Sequence, residues 1–365
     1  MTEPPLDITG PALAELSAYH TPPNPAPTKL DANESPRGLP PQARARLAQV
    51  LANAPLHRYP DGSARELKAA LCERLGGGPD ELLLGVGSDE VIQILLSAFD
   101  RPRDGQAKPT VVIPSPTFVM YPITSKIQGF DPVEVPLDER FGLDVEAMIA
   151  AIETHRPNLV FIATPNNPTG NAFDDRSLER IIEASPGTLI VIDEAYGPFS
   201  EHSRIGWVDR YANVGVMSTL SKVGLAGLRV GWIRMHAALV HEAEKARPPY
   251  NLCMPSQMAA TLMLTELSHV IEETVAGVIA ERARLGSALN DLPGARVLPS
   301  EANFFLVEVA DAEATQKGLL DLGVQVRRFA KVPRLANHLR ITVGTPAEND
   351  ALLKALQTLS LSEGR

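Results

Sequence analysis

LIVIDEAY, Leu189 to Tyr196, decides the fold. Its opening run, Leu189-Ile190-Val191-Ile192, has no polar member to turn towards water, so a strand made of it is covered on both faces. The run ends in Asp193, which sets a carboxylate at the strand tip, and Tyr196 follows three residues on. Similar apolar runs at 82–86, 110–113 and 158–162 alternate with helical spacing. Val91, Ile92, Leu95, Leu96 and Phe99 form one such segment, and Val145, Met148, Ile149 and Ile152 another. The alternation predicts an α/β sandwich around a mostly parallel sheet, with ligands gathering at the carboxyl ends of its strands.

Upstream, residues 1 to 40 carry Pro4, Pro5, Pro22, Pro23, Pro25 and Pro27, which forbid a long helix and predict an irregular arm. Helices are expected at 40–53 and Ala64–Leu75, with the turn His57-Arg58-Tyr59-Pro60-Asp61-Gly62 exposing an aromatic ring between them. Downstream, 237–292 reads as helix-rich. A strand at Phe304–Val309, a helix near 312–321, strands at Val324–Val326 and Leu339–Val343 and a closing helix from 346 then suit a smaller α+β unit, completed by the arm. The expected domains are the arm (1–45), a large unit (46–270) and a small C-terminal unit (271–365).

Composition narrows the function. With 365 residues, 44% of them hydrophobic, and no apolar run approaching ~18 residues, the chain buries a large core and predicts no membrane span. MTEPPLDITG has neither a basic nor an apolar signal region, and Cys72 and Cys253 lie too far apart to suggest a disulfide framework or zinc site. A cytosolic setting is therefore expected. The net charge of −10 argues against a nucleic-acid footprint, and makes any local convergence of arginines informative.

Ser218 to Arg229, STLSKVGLAGLR, follows a β-like segment and precedes another apolar run, so Lys222 sits on a small-residue turn past a buried strand. A desolvated ammonium is costly unless it is paired or covalently used. Thr219, Ser221 and Arg229 offer an anion clamp beside it, a combination that suits a lysine holding a phosphorylated aldehyde; a solvated turn lysine explains it as well. In GVGSDE (Gly85–Glu90), Ser88 and Asp89 open a helix, where they either cap it or bring its amides to a phosphate. Phe118, in PSPTF, is a core residue or a stacking face. Asn167, before Pro168 in TPNNPTG, is a stiffly held amide suited to a phenolic oxygen. Asp193 could pair with a protonated pyridine nitrogen, joined by the Tyr196 hydroxyl at the ring oxygen; no second carboxylate cluster supports a metal. Asn33, in LDANESP, reads first as a turn former. Arg340, inside an apolar strand, needs an anion and fits a carboxylate; Arg327 and Arg328 could add a second contact.

Taken in order, LDANESP, RYPDG, GSDE, PSPTFVMY, TPNNPTG, VIDEAY, TLSKVGLAGLR, PYN, ANFFL and VRR through LRITVGT resemble the fold-type I pyridoxal-phosphate-dependent aminotransferases over nearly the whole chain. Within them the likeness is greatest to members that take L-histidinol phosphate as amino donor and 2-oxoglutarate as acceptor. The resemblance implies pyridoxal 5'-phosphate bound as a Schiff base to Lys222, with Asp193 at the pyridine nitrogen, Asn167 and Tyr196 at the ring oxygen and Phe118 on the ring. Ser88, Asp89, Thr219, Ser221 and Arg229 would surround the phosphate, and Tyr59 would reach it from the second subunit of a homodimer. Arg340 would take the substrate carboxylate. Tyr19, Asn33, Tyr250, Asn251 and Arg327 would shape the donor pocket, with Arg327 on the donor phosphate. An aromatic aminotransferase and a phosphothreonine-type decarboxylase share the anchor residues and remain alternatives. Three departures stand out: Arg229 follows Lys222 by seven residues where many members have eight, Arg37 stands where Tyr is common, and Arg328 where Asp often follows.

Overall fold

The computed structural model describes residues 26–363, together with Gly10 and Leu13; of 360–363 it gives the backbone alone. Tyr19 lies outside the described residues. Its strands are, in chain order, β1 (Thr28–Leu30), β2 (Leu82–Val86), β3 (Thr110–Ser115), β4 (Asp131–Pro136), β5 (Leu159–Ala163), β6 (Leu189–Asp193), β7 (Val214–Thr219), β8 (Val230–Met235), β9 (Arg296–Val297), β10 (Phe304–Glu308), β11 (Val324–Arg328) and β12 (His338–Thr342).

A 7-stranded sheet runs in the order β2-β8-β7-β6-β5-β3-β4, and a 5-stranded sheet in the order β1-β11-β12-β10-β9. In the large sheet β8 alone is antiparallel to its neighbours, β2 and β7. The aliphatic strands supply both faces: Val160, Ile162, Ile190 and Ile192 pack into one core and Leu159, Phe161 and Val191 into the other. Neither face meets water, which is why these strands read as unbroken apolar runs rather than as alternation.

The helix-rich stretch resolves into Ala237–Glu244, Met254–Leu264 and Ser268–Asn290. The last of these is tied to both sheets' loops, since Arg282 Nη1 donates to the carbonyls of Phe199 at 3.0 Å and Ala302 at 2.9 Å. β1 is the contribution of the arm, pairing in parallel with β11 from Thr28↔Val324 to Leu30↔Val326. β4 went unforeseen because Pro132 and Pro136 argue against a strand; as an outermost strand it tolerates the missing donors.

Candidate active site

Because β3, β5, β6 and β7 are parallel neighbours, Ser115, Ala163, Asp193 and Thr219 end their strands along one edge of the sheet. β8 runs the other way and so begins at that edge: Val230 pairs with Val86, and Gly231 with Thr219. Arg229 thereby reaches the same rim as Lys222, although it precedes its strand. The short Lys222–Arg229 spacing is closed by two tight turns, Leu220–Lys222 and Ala226–Leu228, and by a left-handed backbone at Arg229 (φ 52°).

Asp193 is 4% exposed. Its Oδ2 accepts from Tyr121 Oη at 2.5 Å and its Oδ1 from the Ala195 amide at 2.8 Å. Burial pushes the carboxyl up to about 6, against the Tyr121 and Ala195 donors that draw it down; the negative charge of Asp89 adds to the rise and Lys222 opposes it. Lys222 Nζ lies 5.6 Å from the centre of the Tyr196 ring. Tyr196 Oη accepts from Asn33 Nδ2 at 2.9 Å, and its ring meets Phe304 edge-on at 5.1 Å.

Asn167 Oδ1 accepts from Arg340 Nη1 at 2.7 Å, while Arg340 Nη2 donates to the Asp31 carbonyl at 2.7 Å. Asn166 joins the two prolyl loops, donating to the Pro116 carbonyl at 3.0 Å and accepting from Thr117 Oγ1 at 2.6 Å. That fixes the loop carrying Phe118, whose ring stands edge-on to Tyr121 at 5.4 Å. On β11 and β12, Arg327 lies directly opposite Arg340. Like charges opposed across a ladder repel, so the pairing suits an anionic ligand between them. Arg328 is instead engaged by Glu313 at 3.0 Å.

At the helix Gly87–Ala98 the backbone is crowded against β8. A Cβ on Gly231 would lie 2.4 Å from Gly87 C and from the Ser88 amide nitrogen, and one on Gly87 would lie 2.6 Å from Arg229 Nη2. Small residues therefore bring the first-turn amides, the Arg229 guanidinium and the paired hydroxyls of Thr219 and Ser221 (2.8 Å) to one place. Arg229 Nη2 also faces Asp89 Oδ2 at 3.4 Å. Amides at a helix start beside a guanidinium and hydroxyls fit a phosphate. A buried carboxylate facing the site fits a ring cation. The residues present thus match pyridoxal phosphate.

Two expected residues, Tyr59 and Asn251, stand apart. Tyr59, 79% exposed, stacks on Tyr250 of its own chain at 4.7 Å. Asn251 has both ends of its amide engaged, donating to Glu90 Oε2 at 2.6 Å and accepting from Arg247 Nη1 at 2.8 Å. It acts as a bracket on the start of the helix at Gly87. Arg37, the departure from the family pattern, is exposed, its Nη1 4.0 Å from where a Cβ on Gly277 would sit. Tyr121 was missed in the sequence. Its place three residues after Phe118 was the available signal, but a tyrosine in an apolar helix reads equally as core.

The family described as Aminotransferase class I and II matches residues 26–356. The histidinol-phosphate aminotransferase of Methylibium petroleiphilum is 44% identical over 346 residues, covering 94% of this chain and 92% of its own length. Among solved structures, the histidinol-phosphate aminotransferase from Clostridium acetobutylicum is 25% identical with a TM-score of 0.82, covering 92% of this chain and 99% of its own. The fold is shared too with the enzyme of that name from Sinorhizobium meliloti in complex with pyridoxal-5'-phosphate, at a TM-score of 0.83 and 23% identity over 97% of this chain and 99% of the other. By the profile match and by the near-full-length relative alike, the chain belongs to the aminotransferase class I and II family.

Proposed function

We propose that this chain is a pyridoxal-phosphate-dependent aminotransferase that moves the amino group of L-histidinol phosphate to 2-oxoglutarate. The observation that carries the reading is the meeting of Lys222, Tyr196 and buried Asp193 at one strand edge, beside the crowded helix start at Gly87. The near-full-length relative of that name supports the donor.

When bound, the cofactor supplies an aldehyde carbon for the amino group and a ring that takes up electrons from the substrate. The rest falls to the protein. Asp193 would stay anionic at the ring nitrogen, and Asn167 and Tyr196 would hold the ring oxygen. Phe118 would cover one ring face. The amides of Ser88 and Asp89, with Thr219, Ser221 and Arg229, would hold the phosphate. Lys222 would act as general base on the donor's α-proton, taking it on Nζ and later giving it back as general acid. Arg340 takes the α-carboxylate of the acceptor, leaving Asn167 free to turn to the ring. Arg327, opposite it, takes the donor phosphate, and Tyr19, Asn33 and Tyr250 bound the donor side.

The family resemblance supports a homodimer in which Tyr59 reaches the phosphate of the second subunit. Division into an arm (1–45), a large unit (46–270) and a small unit (271–365), and a cytoplasmic location, belong to the same reading. Two separate sheets support the former. No helix among the described residues is long and apolar enough to cross a membrane.

The decisive experiment is a donor panel with 2-oxoglutarate on the wild type, Lys222→Ala and Arg327→Ala. Lys222→Ala should lose both the visible absorbance of bound cofactor and turnover. Arg327→Ala should lose its preference for donors that carry a phosphate. Turnover surviving in Lys222→Ala, or equal use of phosphorylated and unphosphorylated donors by the wild type, would overturn the assignment; carbon dioxide release without an acceptor would mark a decarboxylase.

A further inference from the structure

Asn33 is 1% exposed and holds a left-handed backbone, φ 56°. Glycine is the default at such a position, so an asparagine buried there points to use of its side chain. The residue is tied to the small sheet on three sides. Its amide donates to Thr342 Oγ1 at 3.0 Å, its Oδ1 accepts from the same hydroxyl at 3.1 Å, and its carbonyl accepts from Asn303 Nδ2 at 3.0 Å. The fourth side leaves that sheet: Nδ2 donates to Tyr196 Oη at 2.9 Å. Both partners are buried, so neither can exchange this bond for water.

A phenol oxygen that accepts a hydrogen bond keeps its own proton to give, and is polarised to give it more strongly. We infer that Asn33, besides bounding the donor side, is a positioning residue for Tyr196. It fixes the phenol as a donor towards the cofactor's ring oxygen, and so sets how tightly the proton beside that oxygen, on the Lys222-bound nitrogen, is held. The inference rests on the cofactor reading of the site. It also links that proton to the small sheet, because Thr342 lies on the strand that carries Arg340, and Asp31, at the other end of the same short segment, accepts from Arg340.

The test is a spectrophotometric pH titration of the holoenzyme's visible band. Weaker donation by Tyr196 leaves more charge on the ring oxygen and holds the neighbouring proton more firmly. Asn33→Ala should therefore move the midpoint up by about half to one pH unit. Asn33→Asp keeps the left-handed preference but presents an acceptor where Nδ2 stood, so it should move the midpoint the same way; it decides the matter if the alanine variant does not fold. In a Tyr196→Phe background the Asn33→Ala shift should vanish, because the group it acts through is gone. Wild-type midpoints in both Asn33 variants would overturn the inference, as would a shift that persists undiminished without the Tyr196 hydroxyl. A wild-type protein that shows no visible band overturns the cofactor reading instead, which separates the two failures.

Discussion

Asp193 is the residue on which the chemistry and the stability of the fold pull against each other. In the cofactor-free chain burial lifts its carboxyl from the ordinary 3.8 to about 6. The folded state therefore binds more protons than the unfolded state between those values. The sign follows: this contribution to stability is present at about pH 4 and lost as pH climbs through 6. Asp193→Asn should flatten that part of the profile, read as thermal unfolding of the cofactor-free protein against pH. A ring cation favours the carboxylate, so saturating cofactor should stabilise the protein more at pH 7 than at pH 5. Tyr121 works on the same group. Its hydroxyl is buried and its phenol is held well above the usual range, first by burial and then by the Asp193 charge. Tyr121→Phe removes a bond to a charged group, a loss of about 1.5–3 kcal/mol in denaturant unfolding. It also lifts the Asp193 carboxyl further, which should slow proton transfer at neutral pH in single-turnover kinetics.

At the scale of elements, the contact between β8 and the helix Gly87–Ala98 sets the anion site. A methyl at Gly231 meets backbone at 2.4 Å, which no rotamer change relieves, whereas Gly227 has nothing within 4 Å. Gly231→Ala should cost about 1–3 kcal/mol and weaken cofactor binding by an order of magnitude or more; Gly227→Ala should do neither. Unfolding and cofactor titration of the two variants check both effects. Much of this level was legible in the sequence. Strands buried on both faces announce themselves by composition, so β5 and β6 were read within a residue or two. What escaped reading depends on neighbours. No pattern says that β8 runs backwards, yet that reversal carries Arg229 to the site. Asn33 read as a turn former, and its backbone is indeed turned; its hydrogen bond to Tyr196 spans residues too far apart for local pattern to show. Asn251 matched a family position, but its amide faces Glu90, a partner that spacing does not mark.

For the whole molecule, Leu56, Tyr59 and Tyr250 are exposed, and the proposed dimer would use Tyr59. If Tyr59 completes the second subunit's site, the subunits can complement each other. A mixture of Tyr59→Ala and Lys222→Ala chains, refolded together, forms heterodimers with one intact site each. Random pairing predicts about a quarter of wild-type turnover, above that of either variant alone. Activity no greater than the sum of the separately refolded variants would show that each chain builds its site unaided.

The pairing of β1 with β11 has a consequence for biosynthesis. Thr28 leaves the ribosome early, but its partner Val324 is made only after the whole seven-stranded sheet. Until then Asn33 has no Thr342 to hold it, and the phenol of Tyr196 lacks its donor. A nascent chain stalled before β11 would thus own the lysine and its carboxylate while the leading segment hung loose, and the proton-setting contact would be among the last to close.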